Sequence, residues 1–218
     1  MQKKPVLLKV ILGTLVCVTA SAVPASSNNL LRDASFERGL PPDMGGWKLF
    51  DQSNYATDQA RTGKSSMFNW GFSRVLPASP FLHGTISGSY QELPAEPGSR
   101  WRLTGYGMTP TPLKGAPAYG IVQVSFFDDD GNDLGTLETA KNGKHKAKTS
   151  NQLNAGSIAG EWILLDTGVA TAPAKAAKIH AFTLFVDYSG SGGSQGVYFD
   201  DMKLCALGAG DKDDSTCD

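Results

Sequence analysis

Few residues in this chain have the type and spacing to do chemistry. Two adjacent acids, Asp200 and Asp201, interrupt the strand-like stretch "VYFDDMKL" at 197–204. Side chains alternate along a strand, and Asp200 shares parity with Tyr198, Met202 and Leu204. A carboxylate beside a core is costly unless a cation or N–H donors compensate it, so this pair needs a partner. A second acid run, "DDDGND" at 128–133, has the outline of a calcium loop of the helix–loop–helix kind. The glycine such a loop requires would fall at Asp133, and no helices flank it. It reads instead as a hairpin turn, with Gly131 and Asn132 supplying left-handed conformations. His83, His145 and His180 are scattered, and there is neither an HExxH nor a G-x-S-x-G. His180, in "KIHAFTLF", reads as a strand residue. Glycosidases need two carboxylates about 5–10 Å apart across a groove, and no motif supplies such a pair, so catalysis is not expected.

The chain opens with a basic stretch (Lys3, Lys4, Lys9), an apolar run from about Val10 to Val18, and the small-residue site "ASA". That is the pattern of a secretory signal peptide, residues 1–22, cleaved after Ala22. The apolar run is shorter than the ~20 residues that span a bilayer. A secreted or periplasmic location follows, with no membrane attachment after cleavage. Removing 1–22 takes away three lysines and no acid, which leaves 17 basic against 21 acidic residues, a net charge of −4. Without a basic stripe, nucleic acid is excluded as a partner. Cys205 and Cys217 then remain, both near the C-terminus. In an oxidising compartment they could pair and pin the tail, or stay as two free thiols.

The elements that must hold these residues are short, β-branched or aromatic, and cut by Gly, Pro, Asn and Asp. No long amphipathic helix is present, so the fold class is all-β, a sandwich or barrel. Expected strands are "GWKLFD", "SSMFNWGF", "GSYQELPA", "RWRLTGYGMT", "YGIVQVSFFD", "NDLGTLETA", "EWILLDTGVA", "KIHAFTLFVDY" and "GVYFDDMKL". Residues 74–87 and 141–157 read as loops, 188–196 as a flexible connection, and 208–218 as an acidic tail. One domain, 23–207, is expected.

The order "NLLRDASFERG", "GWKLF", "ARTGKSSM", "YQELPAEPGSRWRLTGYGMT", "VSFFDDDGN", "EWILLDTGV", "VYFDDMKL" resembles the CenC-like carbohydrate-binding modules of families 4, 9, 16 and 22. The likeness covers about residues 28–207. It implies a jelly-roll β-sandwich of two antiparallel sheets that binds a poly- or oligosaccharide without cleaving it. Many such modules ride on larger glycoside hydrolases.

The resemblance also implies one structural calcium where the first and last strands meet. The matching acids are Glu37 in "SFE", Asp58 in "YATDQARTG", and Asp200 or Asp201 in "FDD", with backbone carbonyls near 61–64. Calcium accepts 6–8 such oxygens in flexible geometry. For the sugar, which lays CH faces on aromatic rings and bonds its hydroxyls to polar groups, the family pattern makes Trp101 and Trp47 core and Trp162 structural. Met67 falls at the family's inward position, so Trp70 faces the other way and is the leading platform. Phe72 and Tyr106 follow it, with Gln91 and Gln123 as polar contacts. The expected function is therefore a secreted, non-catalytic carbohydrate-binding protein. The alternative is a structural or adhesive jelly roll with a protein partner, and a jelly-roll lyase or hydrolase stands third.

Overall fold

The structure, a computed structural model, describes residues 29–38, 45–75, 82–139, 141, 144–208 and 211. The expected signal peptide and most of the acidic tail, Cys217 included, lie outside the described residues. The chain forms β1 (Lys48–Phe50), β2 (Ser53–Ala56), β3 (Ser66–Phe72), β4 (Arg74–Val75), β5 (Leu82–His83), β6 (Thr85–Pro94), β7 (Arg100–Met108), β8 (Ala118–Phe127) and β9 (Asp133–Gly135). A 3-10 turn, Leu137–Thr139, precedes β10 (Lys148–Thr149), β11 (Ile163–Thr171), β12 (Lys178–Asp187) and β13 (Ser194–Leu207).

One sheet runs β1-β6-β12-β8-β10, with β9 also beside β8; the other runs β11-β7-β13-β3-β2. Pairing is antiparallel throughout, and sheet neighbours are often distant in sequence, the crossing pattern of a jelly-roll sandwich. The core lies between the sheets. Met67, Leu103, Phe126, Leu165, Ile179, Phe185 and Phe199 are fully buried there. Trp47 and Trp101 are buried, as expected.

Several local expectations need correction. The 74–87 loop contains the β4–β5 hairpin and the start of β6. The 141–157 excursion is anchored, because β10 pairs with β8 and Leu153 is buried against Gly120. In the β8–β9 turn Gly131 has φ 84°, but Asn132 has no positive φ. Asn132 instead donates its backbone and side-chain N–H groups to Asp128.

The parity expected around Asp200 also fails. The β13 register shifts between Asp200 and Lys203, and Asp201 has φ 46°. This is a β-bulge, in which an extra residue flips the alternation. Val197 and Phe199 face the core before it, and Met202 and Leu204 after it. The N-terminal segment docks on the bulge: Leu30 N–H donates to Leu204 O, and Met202 N–H donates to Ala34 O.

Side-chain amides repeatedly stand in for backbone. Asn29 bonds Met202 O and Leu204 N, Gln91 bonds both N and O of Arg32, and Gln195 bonds both N and O of Lys114. Asn151 bonds Leu164 O and Asp166 N on the open side of β11. Each supplies one donor and one acceptor, as a strand residue would.

Candidate functional site

The acids expected to share calcium divide into two groups. Asp200 is 0% exposed. Its carboxylate accepts the N–H groups of Arg61 at 2.7 Å, Thr62 at 3.2 Å and Asp201 at 2.7 Å. Burial pushes this carboxyl up to about 6 against the pull of those N–H groups, and Asp201 adds to the rise. Glu37 accepts from Lys64 N and Ser65 N. These two acids therefore reach the same turn, 61–65, from opposite ends of the chain. Asp58 lies apart and accepts the Tyr198 hydroxyl at 2.7 Å. Asp201 takes Thr62 Oγ1 at 2.5 Å and Arg61 Nη1 at 2.6 Å. Among the described residues no three His, Cys, Asp or Glu gather closely enough to hold a metal ion. Asp200 and Glu37 accept N–H groups at the two ends of the 61–65 turn, and Asp201 reaches Arg61 and Thr62 of the same turn through side chains.

The five residues expected to contact sugar do not converge. Trp70 and Phe72 share the outer face of the five-stranded sheet, as their parity predicts. Trp70 is half-buried, stacked on Phe68 at 5.3 Å, and Phe68 stacks on Tyr198 at 4.3 Å. Tyr106 lies under the Arg61 guanidinium, 3.5 Å from its ring centroid. Gln91 is buried and bound to Arg32, which makes it a structural residue. Gln123 belongs to the opposite sheet.

That opposite sheet carries a denser surface. Directly paired residues place their side chains on one face, and the register aligns Lys48, Tyr90, Phe182, Gln123 and Thr149 across five strands. At ~4.8 Å per strand the row is about 19 Å long. Beside it runs Glu92–His180–Ser125, then Lys178–Phe127–Asp133. The rings lean on one another: Phe127 on His180 at 4.0 Å, His180 on Tyr90 at 5.0 Å, Tyr90 on Phe182 at 5.4 Å and Phe50 at 6.4 Å.

Glu92 anchors the charged end of this face. It meets His180 Nε2 at 3.1 Å, Lys178 Nζ at 3.5 Å and Lys48 Nζ at 3.7 Å. Burial opposes its ionisation, but Lys48, Lys178 and His180 outweigh that and hold it below the usual carboxylate range. Burial likewise holds the His180 imidazole below its ordinary value, against the pull of Glu92. Tyr90, Phe127, His180 and Phe182 were missed in the sequence. The available signal was "KIHAFTLFVD", where the outward parity carries His180, Phe182, Leu184 and Val186 beside Lys178, more apolar than a solvated face.

The sequence matches no family model and no curated protein. The fold matches solved structures. The family 22 carbohydrate-binding tandem of Paenibacillus barcinonensis Xyn10C aligns with TM-score 0.53 and 16% identity over 87% of this chain and 49% of its own. The C-terminal family 22 module of Clostridium thermocellum Xyn10B aligns at 0.50 and 13%, over 86% and 98%. The enzymatically active domain of bacteriophage CBA120 tailspike protein 4 aligns at 0.50 and 13%, over 82% of this chain and about a fifth of its own (21%). The chain thus has the jelly-roll β-sandwich fold of carbohydrate-binding modules, the fold its sequence resemblance implies.

Proposed function

We propose that this protein is a secreted, non-catalytic glycan-binding protein that lays a sugar chain across the outer face of its six-stranded sheet. The carrying observation is the row Lys48–Tyr90–Phe182–Gln123–Thr149, rings at its centre and hydrogen-bonding groups around them. Apolar area with a few placed polar groups is what sugar recognition requires. The mutual stacking fixes the rings before ligand arrives, which lowers the ordering cost of binding. The family 22 carbohydrate-binding modules of the same fold support the reading.

Catalysis is disfavoured on this face. A glycosidase needs one carboxyl kept protonated to act as acid. Glu92 is held ionised by its cations, and Asp133 accepts from Ser125 and Gly135. The test is affinity electrophoresis in xylan and β-1,4-galactan gels. Tyr90→Ala is expected to abolish retardation while the melting temperature holds; retention equal to wild type would refute this face. Reducing sugar released from either polymer would refute the non-catalytic reading.

Trp70, Phe72 and Tyr106 form the second reading, favoured by the exposure of Phe72 (42%) and Leu164 (49%) on the five-stranded sheet. Trp70→Ala in the same gels separates the two faces. Structural calcium between Glu37, Asp200 and the 61–65 turn is a separate proposal. Its support is that both acids already accept N–H groups of that turn, with lone pairs beyond those the N–H groups use. A Cys205–Cys217 disulfide is proposed on the same footing, with Cys205 buried at the end of β13.

A further inference from the structure

Where the Lys178–Phe127–Asp133 row reaches β9, the ring-bearing face runs into a pocket. Phe127 pairs directly with Asp133, so the aromatic path Tyr90–His180–Phe127 leads onto β9. There a cavity of about 550 Å³ is lined by Asp133, Leu137, Lys144, His145, Pro173 and Ala174, together with Leu134. That volume lies within the range of small-ligand sites. Its apolar wall includes Leu137, a leucine 45% exposed to solvent.

The polar groups have definite roles. His145 Nδ1 is 2.9 Å from the Thr136 carbonyl oxygen, which only accepts. The proton therefore sits on Nδ1, and in the neutral ring Nε2 is an acceptor. Asp133 uses Oδ1 for Ser125 and Gly135. Its Oδ2 has no hydrogen bond among the described residues and remains an acceptor. Lys144 supplies an ammonium. Two acceptors and one donor beside an apolar wall match one sugar ring, whose hydroxyls donate and whose CH face is apolar.

We propose that this pocket takes the terminal sugar of the bound chain, an unsubstituted ring with neighbouring free hydroxyls, so that the protein recognises chain ends rather than chain interiors. The inference rests on the glycan reading of the six-stranded sheet. It gives that face a direction: the chain body lies along Tyr90, His180 and Phe127, and its end stops at His145.

The experiment is calorimetric titration of the mature protein with xylohexaose, β-1,4-galactotriose and soluble xylan. Leu137→Asp and His145→Ala are expected to weaken the oligosaccharide that binds by about tenfold, the loss of one good contact, with unchanged melting temperature. The polymer is expected to take one protein per chain end. Many copies bound along each xylan chain, or variants that bind like wild type while Tyr90→Ala does not bind, would overturn end recognition and leave the glycan face standing. No binding of any of the three probes would overturn both.

Discussion

Replacing Asp200 by Asn should change how stability depends on pH, and the size can be worked out. The carboxyl is fully buried and is pushed from 3.8 to about 6 in the folded protein. A raised acid stabilises the fold fully below its unfolded value and loses that contribution as pH climbs through its folded value. Each unit is worth about 1.4 kcal/mol, so wild type should lose about 3 kcal/mol from this group between pH 3 and 7. Other carboxylates, among them Glu92, Glu138, Asp166 and Asp187, are shifted downward and act in the opposite sense. The difference between wild type and the Asp200→Asn variant cancels them. The substituted amide keeps an oxygen for the Arg61 and Thr62 N–H groups but turns an NH₂ toward the Asp201 N–H, a clash that does not vary with pH. The variant should therefore gain about 3 kcal/mol relative to wild type from pH 3 to pH 7. Urea unfolding followed by tryptophan fluorescence in EDTA, at intervals across that range, measures it. A constant difference would show that Asp200 does not titrate abnormally and that burial does not govern its ionisation.

Other outcomes follow from the same geometry. Tyr90→Ala should abolish retardation in glycan gels and Trp70→Ala should leave it intact; the reverse result assigns the site to the five-stranded sheet. Millimolar calcium should raise the melting temperature and EDTA lower it, with Glu37→Gln removing the response; identical melts refute the ion. Reductant should lower the melting temperature of protein produced in an oxidising compartment, and intact-mass measurement should find two hydrogens fewer before reduction; a mass with both thiols present refutes the disulfide. Asn151→Ala should cost about 1–2 kcal/mol and introduce concentration-dependent association in sedimentation.

The fold was largely legible because a sandwich is specified by local signals. Alternation in "YGIVQVSFF" and "KIHAFTLFVD", with turn residues between strands, is enough to define antiparallel strands. The bulge was not legible: alternation assumes an unbroken register, and nothing in "FDDMKL" announces the extra residue that reverses it. The same assumption gave Asp200 the parity of Met202, although the two face opposite ways. Trp70 was placed correctly on its strand and face. Parity alone, however, does not say which of two outward faces collects partners, and that depends on register between β1, β6, β12 and β8. Gln91 shows the opposite limit, a polar residue that reads as a ligand contact and serves as backbone.

The side-chain bonds along the rim of β11 bear on how the protein would behave on the glycan proposed for it. Leu164 O and Asp166 N are taken by Asn151, Gly168 N by Asp166, and Thr171 N by Glu138. An open strand edge is a template for another chain. Copies gathered on one glycan surface meet at far higher local concentration than in solution, the condition under which exposed edges zip together. With Leu164 O, Asp166 N, Gly168 N and Thr171 N answered by side chains, β11 offers a neighbouring copy fewer groups to pair with, which would keep crowded copies single on the glycan proposed above.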